Sequence, residues 1–144
     1  MYANAMPFSH PRPPVAGSLY HRVGVETGVD GASPHRLVAM LFDGLCESIT
    51  LARAAMRAGD VEKKGRAITR AVRIVDEGLK AALDARAGGT LSRDLSDLYD
   101  YLALRLTQAN LRDDEKLLDE CQRLVDPVRE AWAAIAPDAA GSQR

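Results

Sequence analysis

The sequence predicts an all-α protein: an antiparallel up-and-down four-helix bundle, preceded by an irregular N-terminal tail with room for a short helix. Three observations predict it. Apolar residues recur in alternating four- and three-residue steps over several long stretches, the spacing of a helical seam in a bundle. Capping residues and glycines punctuate these stretches. The connections between them are short, as antiparallel neighbours require.

The first helix is expected from Pro34 to about residue 58. Ser33 can accept a hydrogen bond from a first-turn N–H, and Pro34 falls where its missing N–H costs nothing. Leu37, Met40, Leu41 and Leu45 give an apolar face, and Gly59 suits the left-handed residue that ends a helix. Gly44 stands mid-pattern although glycine costs about 1 kcal/mol relative to alanine there, which implies a close neighbour. Asp60 can cap a second helix reaching about residue 86, with Val61, Gly65, Ile68, Val72, Val75, Leu79 and Ala82 as its inward stripe. Gly88-Gly89 ends it, and Thr90 can cap a third helix from 91 to about 111, with Leu91, Leu95, Leu98, Leu102, Leu106 and Ala109 facing inward. Asp113 or Asp114 can start the fourth, with Leu117, Cys121, Leu124, Val128, Ala131 and Ile135 inward. Helices of roughly 20 to 26 residues span about 30–39 Å each at a rise of about 1.5 Å per residue. Pro127 lies inside the fourth pattern, where it removes one backbone hydrogen bond, so a kink or break is expected there.

The 144 residues suit one bundle domain over 20–136, between a flexible proline-rich tail at 1–19 and a flexible C-terminal tail at 137–144. Hydrophobic residues at 47% and charged residues at 27% describe a globular chain rather than a disordered one. A net charge of -1 from 19 basic and 20 acidic side chains excludes a strong positive field, and with it nucleic acid as a partner. No stretch reaches the roughly 18 apolar residues of a membrane span, and no secretory signal opens the chain, so stable membrane insertion is not expected and the location is read as cytoplasmic. Cys46 and Cys121 lie far apart in helical patterns and read as buried reduced thiols.

No catalytic constellation emerges. His10, His21 and His35 share no helix face with a second ligand at metal spacing, so neither a metal nor any other cofactor is expected. His35, beside a cap, reads as a solvated surface residue. Phosphotransfer at His35 or His21 is the competing function, because some helical bundles carry phosphohistidine. Asp94, Asp97 and Asp100 form a charged face rather than an acid–base site.

What remains is surplus apolar surface. Tyr99, Tyr101, Ala103 and Leu104 surround the inward stripe of the third helix. Ala67, Ala71, Ile74, Gly78 and Ala81 form a second, small-residue stripe on the second helix, and Leu118, Val125 and Trp132 flank the stripe of the fourth. Together they suggest a groove for amphipathic helices of a partner.

Four blocks stand out: Tyr20 with Val25-Glu26-Thr27; Ser33-Pro34-His35-Arg36-Leu37 through Met40-Leu41-Phe42-Asp43-Gly44; residues 71–83 with Ile74, Gly78 and Leu79, then Asp84; and Leu98-Tyr99-Asp100-Tyr101 through Arg105-Leu106, Ala109-Asn110 and Asp113. With these blocks in order over residues 20–136, the chain resembles a known family, the flagellin export chaperones of the FliS family. The resemblance implies a non-enzymatic cytoplasmic chaperone that binds the C-terminal segment of flagellin, prevents its premature polymerisation and is recognised by the cytoplasmic domain of the flagellar type III export gate. A general flagellar adaptor is the variant reading. Carried over by position, Tyr20 resembles a tyrosine whose segment lies on the bundle and is displaced by cargo. Ile74, Gly78, Leu79, Leu98, Tyr99, Tyr101 and Leu102 are expected to form the groove or its support, and Asn110 to bond near the end of the third helix. The long proline-rich tail and Pro127 depart from the family pattern.

Overall fold

The computed structural model describes residues 31–86 and 89–135. The expectations for the two tails, for Tyr20 and for the block at 25–27 lie outside these residues. Within them the chain forms four helical rods. The first, α1, is Pro34–Ala58. The second, α2, runs as Val61–Arg73, a π-helical turn Ile74–Leu79, and Lys80–Arg86. The third and fourth are α3, Gly89–Arg112, and α4, Glu115–Ala134.

The punctuation follows local chemistry. Ser33 Oγ accepts from the Arg36 N–H at 3.1 Å, with Pro34 in the first turn. Gly59 adopts φ 72°, so its N–H reaches the Met56 carbonyl and the Asp60 N–H the Ala55 carbonyl, at 3.1 and 2.9 Å. Asp60 then caps α2 through the Lys63 N–H at 3.0 Å. At the next turn Asp113 takes the left-handed conformation, φ 54°, that glycine takes at 59. The Lys64 ammonium crosses from α2 to hold it, donating to Asp113 Oδ1 at 2.8 Å and to the Asn110 carbonyl at 3.2 Å. A buried lysine is tolerated because both bonds are charge-assisted and one partner is an anion. Asp114, not Asp113, caps α4. Thr90, read as a cap, lies inside the first turn of α3.

Cross-helix pairs define the packing. Asp43 meets Arg129, Arg53 meets Asp119 and Arg57 meets Glu115, so rising numbers on α1 meet falling numbers on α4. Lys64 meets Asp113 and Lys80 meets Asp100 in the same sense across α2 and α3. In each of these two pairs the rods therefore run in opposite directions. The core is Leu41, Phe42, Leu45 and Ile49 of α1 with Ile68, Val75, Leu79, Leu102, Leu106, Leu118, Cys121 and Val125.

Three expectations are corrected. The small-residue stripe of α2 is not surplus: Ala67, Ala71, Ile74 and Gly78 are buried alongside Ile68, Val75 and Leu79. Touching both α1 and α3, α2 needs two inward faces. The π turn lets both sets point inward, with the Lys80 N–H bonding the Val75 carbonyl five residues back. On α4 the buried set is shifted, because Leu118 and Val125 are inside whereas Ala131 and Ile135 are exposed. No break occurs at Pro127, and α4 is helical throughout. Pro127 and Arg123, whose carbonyl loses its donor, are both exposed, so water can satisfy that carbonyl.

Candidate functional site

The seam residues that fail to become core mark the site. On α3, Leu91, Leu95 and Leu98 carry the inward spacing, yet Leu91 is 71% exposed and the other two are half-buried. On α4, Leu124 and Val128 are half-buried, Ala131 is exposed and Ile135 is 42% exposed. Tyr101 and Arg105 of α3 both bond Glu120 of α4. This antiparallel register carries Leu98, Leu95 and Leu91 past Leu124, Val128 and Ala131 in turn. The result is an apolar cleft at the end of the bundle where α1 begins. Leu95, Leu98, Leu124 and Val128 pack against the edge of the core and stay half-buried, while Leu91, Ala131 and Ile135 beyond them are exposed.

Tyr101 stands at the inner limit of this cleft. Its hydroxyl donates to Glu120 Oε2 at 2.5 Å, Arg105 Nε donates to Glu120 Oε1 at 2.8 Å, and the guanidinium lies 5.7 Å from the tyrosine ring centre. The hydrogen bonds from Tyr101 and then Arg105 hold the Glu120 carboxyl below its ordinary range. The same bond and desolvation push the Tyr101 phenol up. With its hydroxyl engaged, the 40% of Tyr101 that is exposed presents ring surface. Leu104 and Leu111 extend apolar exposure along the outer side of α3.

Of the residues singled out from the sequence, Ile74, Gly78, Leu79, Tyr99 and Leu102 are buried within the bundle, Leu98 is half-buried and Tyr101 is exposed. The structure leaves Leu98 and Tyr101 at the surface and buries the other five within the bundle. Leu91, Leu95, Leu124, Val128 and Ile135 were read as ordinary core. The signal available for them was their position, toward the free ends of two helices whose seams run on with little to cover them.

Among the described residues no group of three His, Cys, Asp or Glu side chains could hold a metal ion. His35 is not the solvated residue expected of it. It is 7% exposed, its ring stacks on Trp132 with centres 5.0 Å apart, and its Nε2 is engaged by the Trp132 carbonyl at 3.1 Å. A phosphotransfer histidine must instead present a free nitrogen to solvent. Cys46 and Cys121 are buried free thiols, and burial pushes the Cys121 thiol from 9.0 up to about 12. No described helix is long and apolar enough to cross a membrane.

The described residues define a four-helix bundle with a partly exposed apolar seam between α3 and α4. Comparison with known proteins places the bundle more closely. The family model for flagellar protein FliS matches residues 16–139, and the chain belongs to that family. It is 47% identical over 120 residues to the flagellar secretion chaperone FliS of Salmonella typhimurium, covering 83% of this chain and 89% of that one. It is 39% identical over 117 residues to the flagellar secretion chaperone FliSB of Pseudomonas aeruginosa, covering 81% and 92%. With the flagellar secretion chaperone FliS of Vibrio cholerae the identity is 34% over 124 residues, covering 85% and 90%. The family is one of chaperones rather than enzymes.

Proposed function

We propose that this protein is a cytoplasmic flagellar secretion chaperone that holds the C-terminal segment of flagellin against the α3–α4 cleft. The observation that carries this reading is the seam of Leu91, Leu95, Leu98, Leu124, Val128 and Ile135, patterned as core yet only half-buried or exposed among the described residues. An amphipathic helix inserted there completes the layer that two rods leave unfinished. The curated relatives are named as flagellar secretion chaperones, which supports a flagellar client.

The physical task explains the design. A segment that forms helices in the filament core must not find its own kind before export, so the chaperone covers its apolar face. Ordering such a segment costs about 2–5 kcal/mol, which the buried apolar contact more than offsets, and this cost keeps the complex reversible. The loaded complex is then the form offered to the cytoplasmic domain of the export gate. Co-purification with full-length flagellin and with flagellin lacking its C-terminal helix tests the reading. Loss of binding on truncation is expected, and equal binding of both forms would overturn it.

A further inference from the structure

The first turn of α1 and the last turn of α4 are joined by a reciprocal pair at the edge of the core, where His35 is buried and Trp132 packs against the core cluster. Trp132 Nε1 donates to the His35 carbonyl at 3.0 Å, and His35 Nε2 meets the Trp132 carbonyl at 3.1 Å. A carbonyl only accepts, so that imidazole nitrogen carries the hydrogen. The rings stack at an interplanar angle of 14°. Each side chain thus bonds the other residue's backbone, so the clasp fixes the position of the two helix ends and not merely of two side chains.

Its location gives the clasp a consequence. Trp132 lies within one turn of Val128, Ala131 and Ile135, the α4 side of the cleft. Pro127, one residue before Val128, removes a rung of the helix ladder, so the final turns of α4 are coupled to the rest by one bond fewer. Behind Pro127 the α1 ties are Arg129 to Asp43 at 2.6 Å and the clasp itself. We propose that His35 and Trp132 are positioning residues for cargo: the clasp pins the turns of α4 beyond Pro127 and so sets how far the α4 wall of the cleft stands from α3. This rests on the reading of the cleft as the cargo site.

The test separates the two claims. Trp132 is the single tryptophan of the chain, so acrylamide quenching of its emission reports the clasp directly. Hydrogen exchange of amides 128–134, measured without cargo, reports the wall. His35→Leu keeps an apolar contact and removes the donor, whereas His35→Gln places an amide N–H near the position of Nε2. In the leucine variant, exchange over 128–134 is expected to rise at least tenfold and Trp132 to become more quenchable, while exchange over 41–56 stays as in wild type. Affinity for a peptide of the flagellin C-terminal segment is expected to fall at least fivefold, and the glutamine variant to recover most of both effects. Exchange rising equally over all four helices would make His35 an ordinary core residue and overturn the proposal. Identical behaviour of the leucine and glutamine variants, or a loosened wall with unchanged affinity, would overturn it too. Failure of the wild type to bind the peptide overturns the cargo reading and the proposed role with it; the exchange arm still shows whether the clasp holds the wall.

Discussion

Gly44 shows how one missing methyl group sets a helix crossing. A Cβ built there would lie 3.2 Å from both Arg70 Nη2 and Ile74 Cδ1, while Arg70 Nη1 donates to the Gly44 carbonyl at 3.2 Å and to buried Ser48 Oγ at 2.8 Å. Both atoms in the way are side-chain ends that can shift slightly. Gly44→Ala is therefore expected to be close to neutral, because improved helix propensity offsets mild crowding. Gly44→Val meets the same neighbours with two more carbons and is expected to cost about 1–3 kcal/mol in urea unfolding. At Ile74 and Leu102 the burial makes a different prediction. An aspartate at either position places a carboxylate among apolar side chains, so loss of helicity by circular dichroism is expected before any specific loss of binding. Cys121, with its thiol pushed up to about 12, is expected to resist alkylation at pH 8 until the chain unfolds. A thiol raised on folding contributes stability that is complete below pH 9 and declines as pH rises from there toward 12. Cys121→Ala should flatten that decline in alkaline unfolding curves.

At the level of helices, much was legible because caps and breakers act locally. Ser33, Pro34, Gly59 and Asp60 delimit the end, turn and start that their chemistry dictates, and α1 spans the residues expected of it. The π turn at Ile74–Leu79 was not legible. It answers a tertiary demand, two inward faces on one rod, which a single helical period does not express. The break expected at Pro127 does not occur, because the cost of a proline depends on which way the orphaned carbonyl faces. The burial of His35 is not legible either, because its partner Trp132 lies 97 residues away. Pro127→Ala restores the missing rung without altering the exposed face. It is expected to raise the midpoint of thermal unfolding, since proline is less favourable than alanine by up to about 3 kcal/mol within a helix. It should also slow hydrogen exchange over 128–134.

For the whole molecule, the four-rod arrangement followed from seam spacing and short connections, whereas the cleft did not. Sequence spacing shows which residues share a helix face, but not where along a bundle that face stops finding a partner. Leu91 and Leu102 occupy the same stripe of α3, and one is exposed while the other is buried in the core. The difference lies in what the other rods supply at each level. The residues with family resemblance split along the same line, with Leu98 and Tyr101 at the surface and Ile74, Gly78, Leu79, Tyr99 and Leu102 beneath it. Leu111, 80% exposed on the same helix but at the opposite end of the bundle, provides an internal control.

The central claim is that the partly exposed α3–α4 seam receives the flagellin segment. Calorimetric titration of a flagellin C-terminal peptide into Leu95→Asp and Leu111→Asp tests it most directly, with circular dichroism confirming equal helicity. At least a tenfold loss of affinity in Leu95→Asp, with Leu111→Asp near wild type, is the predicted result. Equal affinity in Leu95→Asp and wild type, or a loss confined to Leu111→Asp, would contradict the account.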